Sequence, residues 1–332
     1  MKKYSKFFTI LLIPIMIAMI FSGCSSNESQ NKKVNLCEVT HSIFYAPQYV
    51  AINKGFFSDE GIDITLTNGG GSDKVMAAVL SDNMDIGLSG PETCIYVYNE
   101  GKEDSPKVFA QLTKRDGSLL ISRENITNFK WNDLKGKTVI PGRKGGVPYM
   151  VLEYILKQNG LNPSKDLVLD DSIQFDLMAS AFSNGTADFV TAFEPTASQI
   201  EKIGKGYIVS SLGTASGEIP YTGYIAKQSY INNHEDIIQG FTNAIAKAQK
   251  WVNEHSAQEI AEAISSHFPD TDADSLAVSI KNYKDIDVWN ATPVMKEENF
   301  DRLQDVIISA GELTDKVPFD NVVTNKFANK AK

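Results

Sequence analysis

The chain has 332 residues, with 32 Lys and Arg against 41 Asp and Glu, giving a formal net charge of −9 at pH 7. That acidic balance argues against nucleic acid, whose recognition needs a basic face, and it favours solubility without naming a partner. Apolar residues at 42% and charged residues at 22% are ordinary for a globular protein, and the length suffices for two lobes or one large domain.

Lys2, Lys3 and Lys6 precede an apolar run, Phe7–Phe21, that ends in Ser22-Gly23-Cys24. A charged start, an apolar run too short for a good membrane span and small residues before a cut point read as an export signal. The segment resembles a bacterial lipoprotein signal, with Phe21 where such signals usually carry Leu. The resemblance implies that residues 1–23 are removed, that Cys24 becomes the lipidated N-terminus, and that 24–33 form a flexible tether. An uncleaved anchor helix is the alternative. Either way the remaining chain is expected outside the cytoplasm, tied to a membrane, and no later stretch is long and apolar enough to cross one. Cys37 and Cys94 then remain, too few for a disulfide scaffold. They read as buried inert thiols or as one bridge.

After the tether, short apolar runs alternate with helical patterns. Strands are expected at 34–39, 62–66, 86–88 and 108–112, with helices at 47–54, 72–80 and 91–99 between them. A second series follows: strands at 137–140, 167–169, 189–191 and 207–210, and helices at 148–158, 175–182 and 195–203. A strand at 221–226 precedes a mostly helical tail at 237–252, 257–265, 273–282 and 297–310. Such alternation implies βαβ units and parallel pairing. Two α/β series with crossings near 117–123 and 217–224 predict two lobes, one from 34–118 plus 222–332 and the other from 119–221. Ligands in open α/β sheets sit at the carboxyl ends of strands, so facing lobes build a cleft that can close by hinge motion.

Three loops running from strand into helix carry the chemistry. They are Asn68-Gly69-Gly70-Gly71-Ser72-Asp73, Leu88-Ser89-Gly90-Pro91-Glu92, and the stretch from Pro141 through Gly145 and Gly146 to Pro148. Each sets small residues and free backbone N–H groups at the positive end of a helix, suited to an anionic or acceptor-rich ligand. None matches a Walker or dinucleotide fingerprint. His41 and Tyr45 leave the first strand and are expected on one cleft wall. Glu194, in Phe193-Glu194-Pro195, reads either as a helix cap or as an acceptor for a ligand amine, amide or hydroxyl. Tyr221 reads as hinge packing or a ligand contact. Of the four histidines, His234, His255 and His267 read as solvated surface. No His-Glu-x-x-His, Cys-x-x-Cys or Gly-x-Ser-x-Gly motif appears, so neither a catalytic constellation nor a metal or cofactor site is expected.

Phe44-Tyr45-Ala46-Pro47-Gln48-Tyr49-Val50-Ala51, Lys54-Gly55-Phe56-Phe57 and Glu60-Gly61-Ile62 resemble the opening of the substrate-binding lipoproteins of ABC importers. They are similar to the branch covering aliphatic sulfonates, taurine, nitrate and the pyrimidine precursor of thiamine. Asp133–Val139 and Phe189–Pro195 resemble later segments of that family. The resemblance implies a periplasmic binding protein type II fold, two α/β lobes of mixed sheets hinged about a cleft. It also implies a monomeric, non-catalytic receptor that delivers a small molecule to a permease and its ATPase. Carried over by position, the cleft would use His41, Tyr45, Gly71, Ser72, Ser89, Gly90, Gly145, Gly146, Glu194 and Tyr221. Phe193-Glu194-Pro195 replaces the Trp-Asp-Pro common in sulfonate and taurine binders, which favours an amino-bearing or neutral heterocycle over an anion. An extracellular lipoenzyme using His41 or Glu194 as base, or a sensory lipoprotein, is the alternative.

Overall fold

Hydrophobic alternation in the first apolar run makes β1 (Lys32–Glu38), in which Val34, Leu36 and Cys37 are buried. This is seen in a computed structural model that describes residues 31–174 and 177–331. The export signal at 1–23, Cys24, most of the tether, and Phe175 at the head of one expected helix lie outside the described residues. β1 starts at Lys32, two residues inside the segment read as tether.

Beyond β1 come α1 (Ala46–Asn53), α2 (Phe56–Asp59), β2 (Ile62–Asn68), α3 (Ser72–Leu80), β3 (Ile86–Ser89), α4 (Glu92–Asn99) and β4 (Pro106–Thr113). Pro47 lies in the first turn of α1, where a missing N–H breaks no helical bond. β5 (Leu119–Ser122) opens the second series, followed by β6 (Thr138–Ile140), α5 (Val147–Gln158), β7 (Val168–Leu169), α6 (Met178–Ser183), β8 (Phe189–Ala192), α7 (Thr196–Lys202) and β9 (Tyr207–Ser211). The chain returns through α8 (Leu212–Ser216) to β10 (Thr222–Lys227). The tail is α9 (Gln228–Asn233), α10 (Glu235–Glu254), α11 (Ala257–Ile264), α12 (Ala273–Asp285), α13 (Glu297–Ser309) and α14 (Phe319–Val322).

The strands form two five-stranded sheets, ordered β2-β1-β3-β10-β4 and β7-β6-β8-β5-β9. β1 is parallel to β2 and β3, and β6 to β7 and β8. Sheet pairing is not wholly parallel, however. β10 runs antiparallel to β3 and β4, and β5 antiparallel to β8 and β9. These are the two strands that arrive from the opposite sheet rather than through a crossover within their own, so the constraint that makes βαβ neighbours parallel does not act on them.

The long helix α10 buries Ile237, Ile238, Phe241, Ala244, Ile245, Ala248 and Val252, a helical stripe that packs on α1 and α2. Two later helices reach the second series, α12 against α7 and α13 against α5. No helix among the described residues is long and apolar enough to cross a membrane. Cys37 and Cys94 are buried free thiols, so no bridge joins them.

Candidate functional site

Two segments cross between the sheets, 114–118 from β4 to β5 and 212–221 from β9 to β10. They are tied to each other along their length. Ile219 N–H donates to the Lys114 carbonyl at 2.9 Å, Leu212 N–H to the Ser118 carbonyl at 3.0 Å, and Tyr221 N–H to the Thr113 carbonyl at 3.1 Å. The Thr113 and Thr222 hydroxyls meet at 2.6 Å. Gly213 permits the closest approach, since a Cβ there would stand 2.2 Å from the Asp116 carbonyl oxygen. The paired crossings therefore bring Asp116, Ser118 and Tyr221 side by side.

All three are buried. Asp116 Oδ1 accepts the Ser118 N–H at 2.7 Å. The Ser118 and Tyr221 hydroxyls lie near enough to favour the Asp116 charge. Even so, Asp116 Oδ2 and both hydroxyls lack a well-aligned hydrogen-bond partner among the described residues. Burial outweighs that help and pushes Asp116 up to about 6.

From the first sheet, β3 ends at Ser89, opposite Gly223 of β10, and its buried hydroxyl is likewise without a partner among the described residues. Glu92, the first residue of α4, folds its carboxyl back over Gly90, where a Cβ would stand 1.9 Å from Oε2. Oε2 is buried and unpartnered among the described residues. Burial pushes Glu92 up to about 7, with its own backbone N–H offsetting part of the effect. Tyr221 sits in the field of both carboxyls, since its hydroxyl is driven up by burial and then by Asp116, Tyr45 and Glu92. Tyr45, from the 43–45 turn, is buried and is raised by burial, then by Glu38 and Glu92.

An aromatic group packs against Tyr221 and Gly117. The Phe44 ring lies 5.6 Å from Phe193, which follows β8 in the other sheet, and 5.7 Å from Tyr221. Both phenylalanines press on Gly117, whose absent Cβ would meet Phe44 at 2.6 Å and Phe193 at 3.0 Å. Trp289 Nε1 donates to the Phe44 carbonyl at 2.9 Å and fixes that turn.

Of the residues expected in the cleft, Tyr45, Ser89, Gly90 and Tyr221 converge here. Glu194 has another occupation. Its carboxylate accepts the Ser198 N–H at 3.1 Å, the Ser198 hydroxyl at 2.8 Å and Asn282 Nδ2 at 2.5 Å, so it caps α7 and fastens α12 to the second sheet. His41 is also engaged, facing Glu38 Oε1 through Nδ1 and the His267 carbonyl through Nε2, both at 2.8 Å, with its ring stacked on Phe268. Gly71 and Ser72 start α3 half-exposed, with Gly71 N–H bound back to the Val39 carbonyl. Gly145 and Gly146 head α5 beside Glu312.

The three other histidines are not simply solvated. His234 packs on Tyr230, His255 stacks on Trp251 and His267 packs on Tyr49. The first two pairs sit four residues apart, where helical side chains meet. Asp116 and Ser118 escaped the sequence reading, and Glu92 entered it only as the last residue of the Leu88–Glu92 loop. Glu92 looks like any acid in a first helical turn, and Arg115-Asp116-Gly117-Ser118 like any turn. Among the described residues no group of three His, Cys, Asp or Glu side chains is placed to hold a metal ion. Two surface hollows, lined by Glu153, Lys157 and 160–164 and by residues such as Tyr98 and Asn321, share no residue with this cluster.

Two mixed sheets flanked by helices and joined by paired crossings make the two-lobed α/β fold of the periplasmic binding proteins. A periplasmic aliphatic sulphonate binding protein from Escherichia coli, SsuA, superposes with a TM-score of 0.70 at 16% identity, over 87% of this chain and 96% of that one. The ligand-binding component of an ABC-type import system from Staphylococcus aureus, solved with zinc bound, gives 0.73 at 15% identity, over 91% and 99%. The chain belongs to the family described as NMT1/THI5 like, whose model matches residues 43–259. A Bacillus subtilis (strain 168) protein provisionally named binding protein YtlA is 45% identical over 316 residues, 95% of this chain and 94% of that one.

Proposed function

We propose that this chain is the extracytoplasmic solute-binding component of an ABC importer, a non-catalytic receptor that captures a small organic nutrient and hands it to a permease. The likeness in fold to the ligand-binding component of an ABC-type import system and to a periplasmic aliphatic sulphonate binding protein supports the reading. The observation that carries it is the set of buried polar atoms from Ser89, Glu92, Asp116, Ser118 and Tyr221 that lack a well-aligned hydrogen-bond partner among the described residues. They collect where the two crossings meet the end of β3. Buried polar groups are nearly always satisfied, so a concentration of orphans marks a place where a ligand completes the bonding. His41 and Glu194, the two groups a hydrolytic reading would need as base, are held by internal hydrogen bonds. Anchoring through a lipidated Cys24 and division into lobes 34–118 plus 222–332 and 119–221 belong to the same proposal.

Thermal-shift screening of the purified chain against a library of charged and neutral nutrients, followed by calorimetry, tests it. The expected outcome is a compound bound below the millimolar range and recovered chemically unchanged. Silence across the library, or turnover of the bound compound, would contradict it.

A further inference from the structure

From the same cluster, and resting on the solute-binding reading above, we infer that the captured molecule is an organic cation carrying N–H donors, such as a protonated primary amine or amidine on an apolar body. The structural reason is a charge imbalance among buried side chains. Glu92 Oε2 and Asp116 Oδ2 lack a well-aligned hydrogen-bond partner among the described residues, at 6% and 0% residue exposure. Only the Ser118 and Tyr221 hydroxyls lie near Asp116, and no lysine, arginine or histidine among the described residues acts on either carboxyl. Buried carboxylates are ordinarily paired. Both act on the Tyr221 hydroxyl, and two buried carboxyls around one hydroxyl with no cation are completed by a ligand that supplies both the positive charge and the hydrogen-bond donors.

The neighbouring groups agree with that choice. The Tyr221, Ser89 and Ser118 hydroxyls can each accept a further N–H. The Phe44 and Phe193 rings, which meet across the two sheets, offer the apolar and π surface that attracts an organic cation. An anion in this position would face two acids and no counter-charge. It could bind only with both carboxyls kept protonated, at a cost that grows with pH. The distinction is one of sign, so it can be measured.

The test titrates the whole chain at about pH 7.5 with benzylamine and benzamidine as cations, benzyl alcohol as neutral isostere, and methanesulfonate and nitrate as anions. The inference expects binding of the cations, with the alcohol weaker by roughly tenfold to a hundredfold, the range of a charge-assisted hydrogen bond. Cation binding should release protons, so the calorimetric enthalpy should change with the ionisation enthalpy of the buffer. Glu92→Gln and Asp116→Asn should each lose cation affinity by a similar factor while melting no lower than the parent, which separates lost recognition from lost folding. Preferential binding of methanesulfonate or nitrate would overturn the charge assignment and leave the importer reading standing. Cation affinity unchanged in both variants would also overturn it. If no arm binds and the nutrient library is silent as well, both readings fall together.

Discussion

Glu92 and Asp116 are where burial and charge conflict most sharply in this molecule. Their ordinary values of 4.5 and 3.8 rise to about 7 and about 6 because the folded protein strips them of water. A carboxyl raised on folding binds its proton more tightly in the native state. Its stabilising contribution is therefore complete below the unfolded value and is lost as pH climbs through the folded one. The titratable groups facing the pair are Tyr45, Tyr221 and Tyr283 from neighbouring segments, with Cys94 and Tyr96 on α4 itself. Burial drives all five upward, so none supplies a charge near neutrality. The ligand-free chain should lose stability between about pH 4 and pH 7, and Glu92→Gln should flatten that slope. At about 1.4 kcal/mol per pKa unit, the variant gains a few kcal/mol over its parent at the alkaline end. Chemical denaturation of both proteins across that range measures the difference. A variant with an unchanged slope would mean that Glu92 is not the titrating group.

At the scale of elements, the paired crossings do two jobs. They join the sheets, and they fix the backbone beneath Asp116, Ser118 and Tyr221. Gly213 marks the tightest point, because the atom a side chain would strike is the Asp116 carbonyl, part of a backbone already held by hydrogen bonds on both sides. Gly213→Ala should destabilise the chain by about 1–3 kcal/mol, the usual cost of overpacking, and should weaken ligand binding as Asp116 shifts. Thermal unfolding and a binding titration of the same variant check both parts. An unperturbed protein would show that the crossings are looser than drawn.

Much of this layer is legible from residue spacing. Ser72–Leu80 is the helix expected there, and the boundaries of β3, β8 and α13 lie within a residue of the pattern. What spacing could not give is direction. β5 hid inside a segment read as a crossing, and β10 gave no sign of running antiparallel, since both properties come from partners far away in sequence. The same limit applied to the candidate site. Ser89, Gly90 and Tyr221 stood out because loops at strand ends advertise themselves. Glu194 stood out for the same reason, and its bonds to Ser198 are the helix cap that the local pattern offered as one reading, whereas Asn282 comes from a helix far away in sequence. Asp116 became visible only when the second crossing was laid beside the first.

On the scale of the whole molecule, the two sheets contribute unequally to the place where they meet. The first supplies Ser89, Glu92, Tyr45 and Phe44, the second sends in Phe193, and the crossings add Asp116, Ser118 and Tyr221. Ring contact between Phe44 and Phe193 spans the two halves. A molecule held beneath those rings would therefore be released only when the halves part, as hinge-closing receptors require. A crystal structure of the chain grown with its tightest-binding compound examines this directly. Density enclosed beneath Phe44 and Phe193, with a polar atom at hydrogen-bond distance from Glu92, Asp116 or Tyr221, is the predicted result. Density on the outer surface, with those carboxyls unchanged and the rings still in contact, would contradict it.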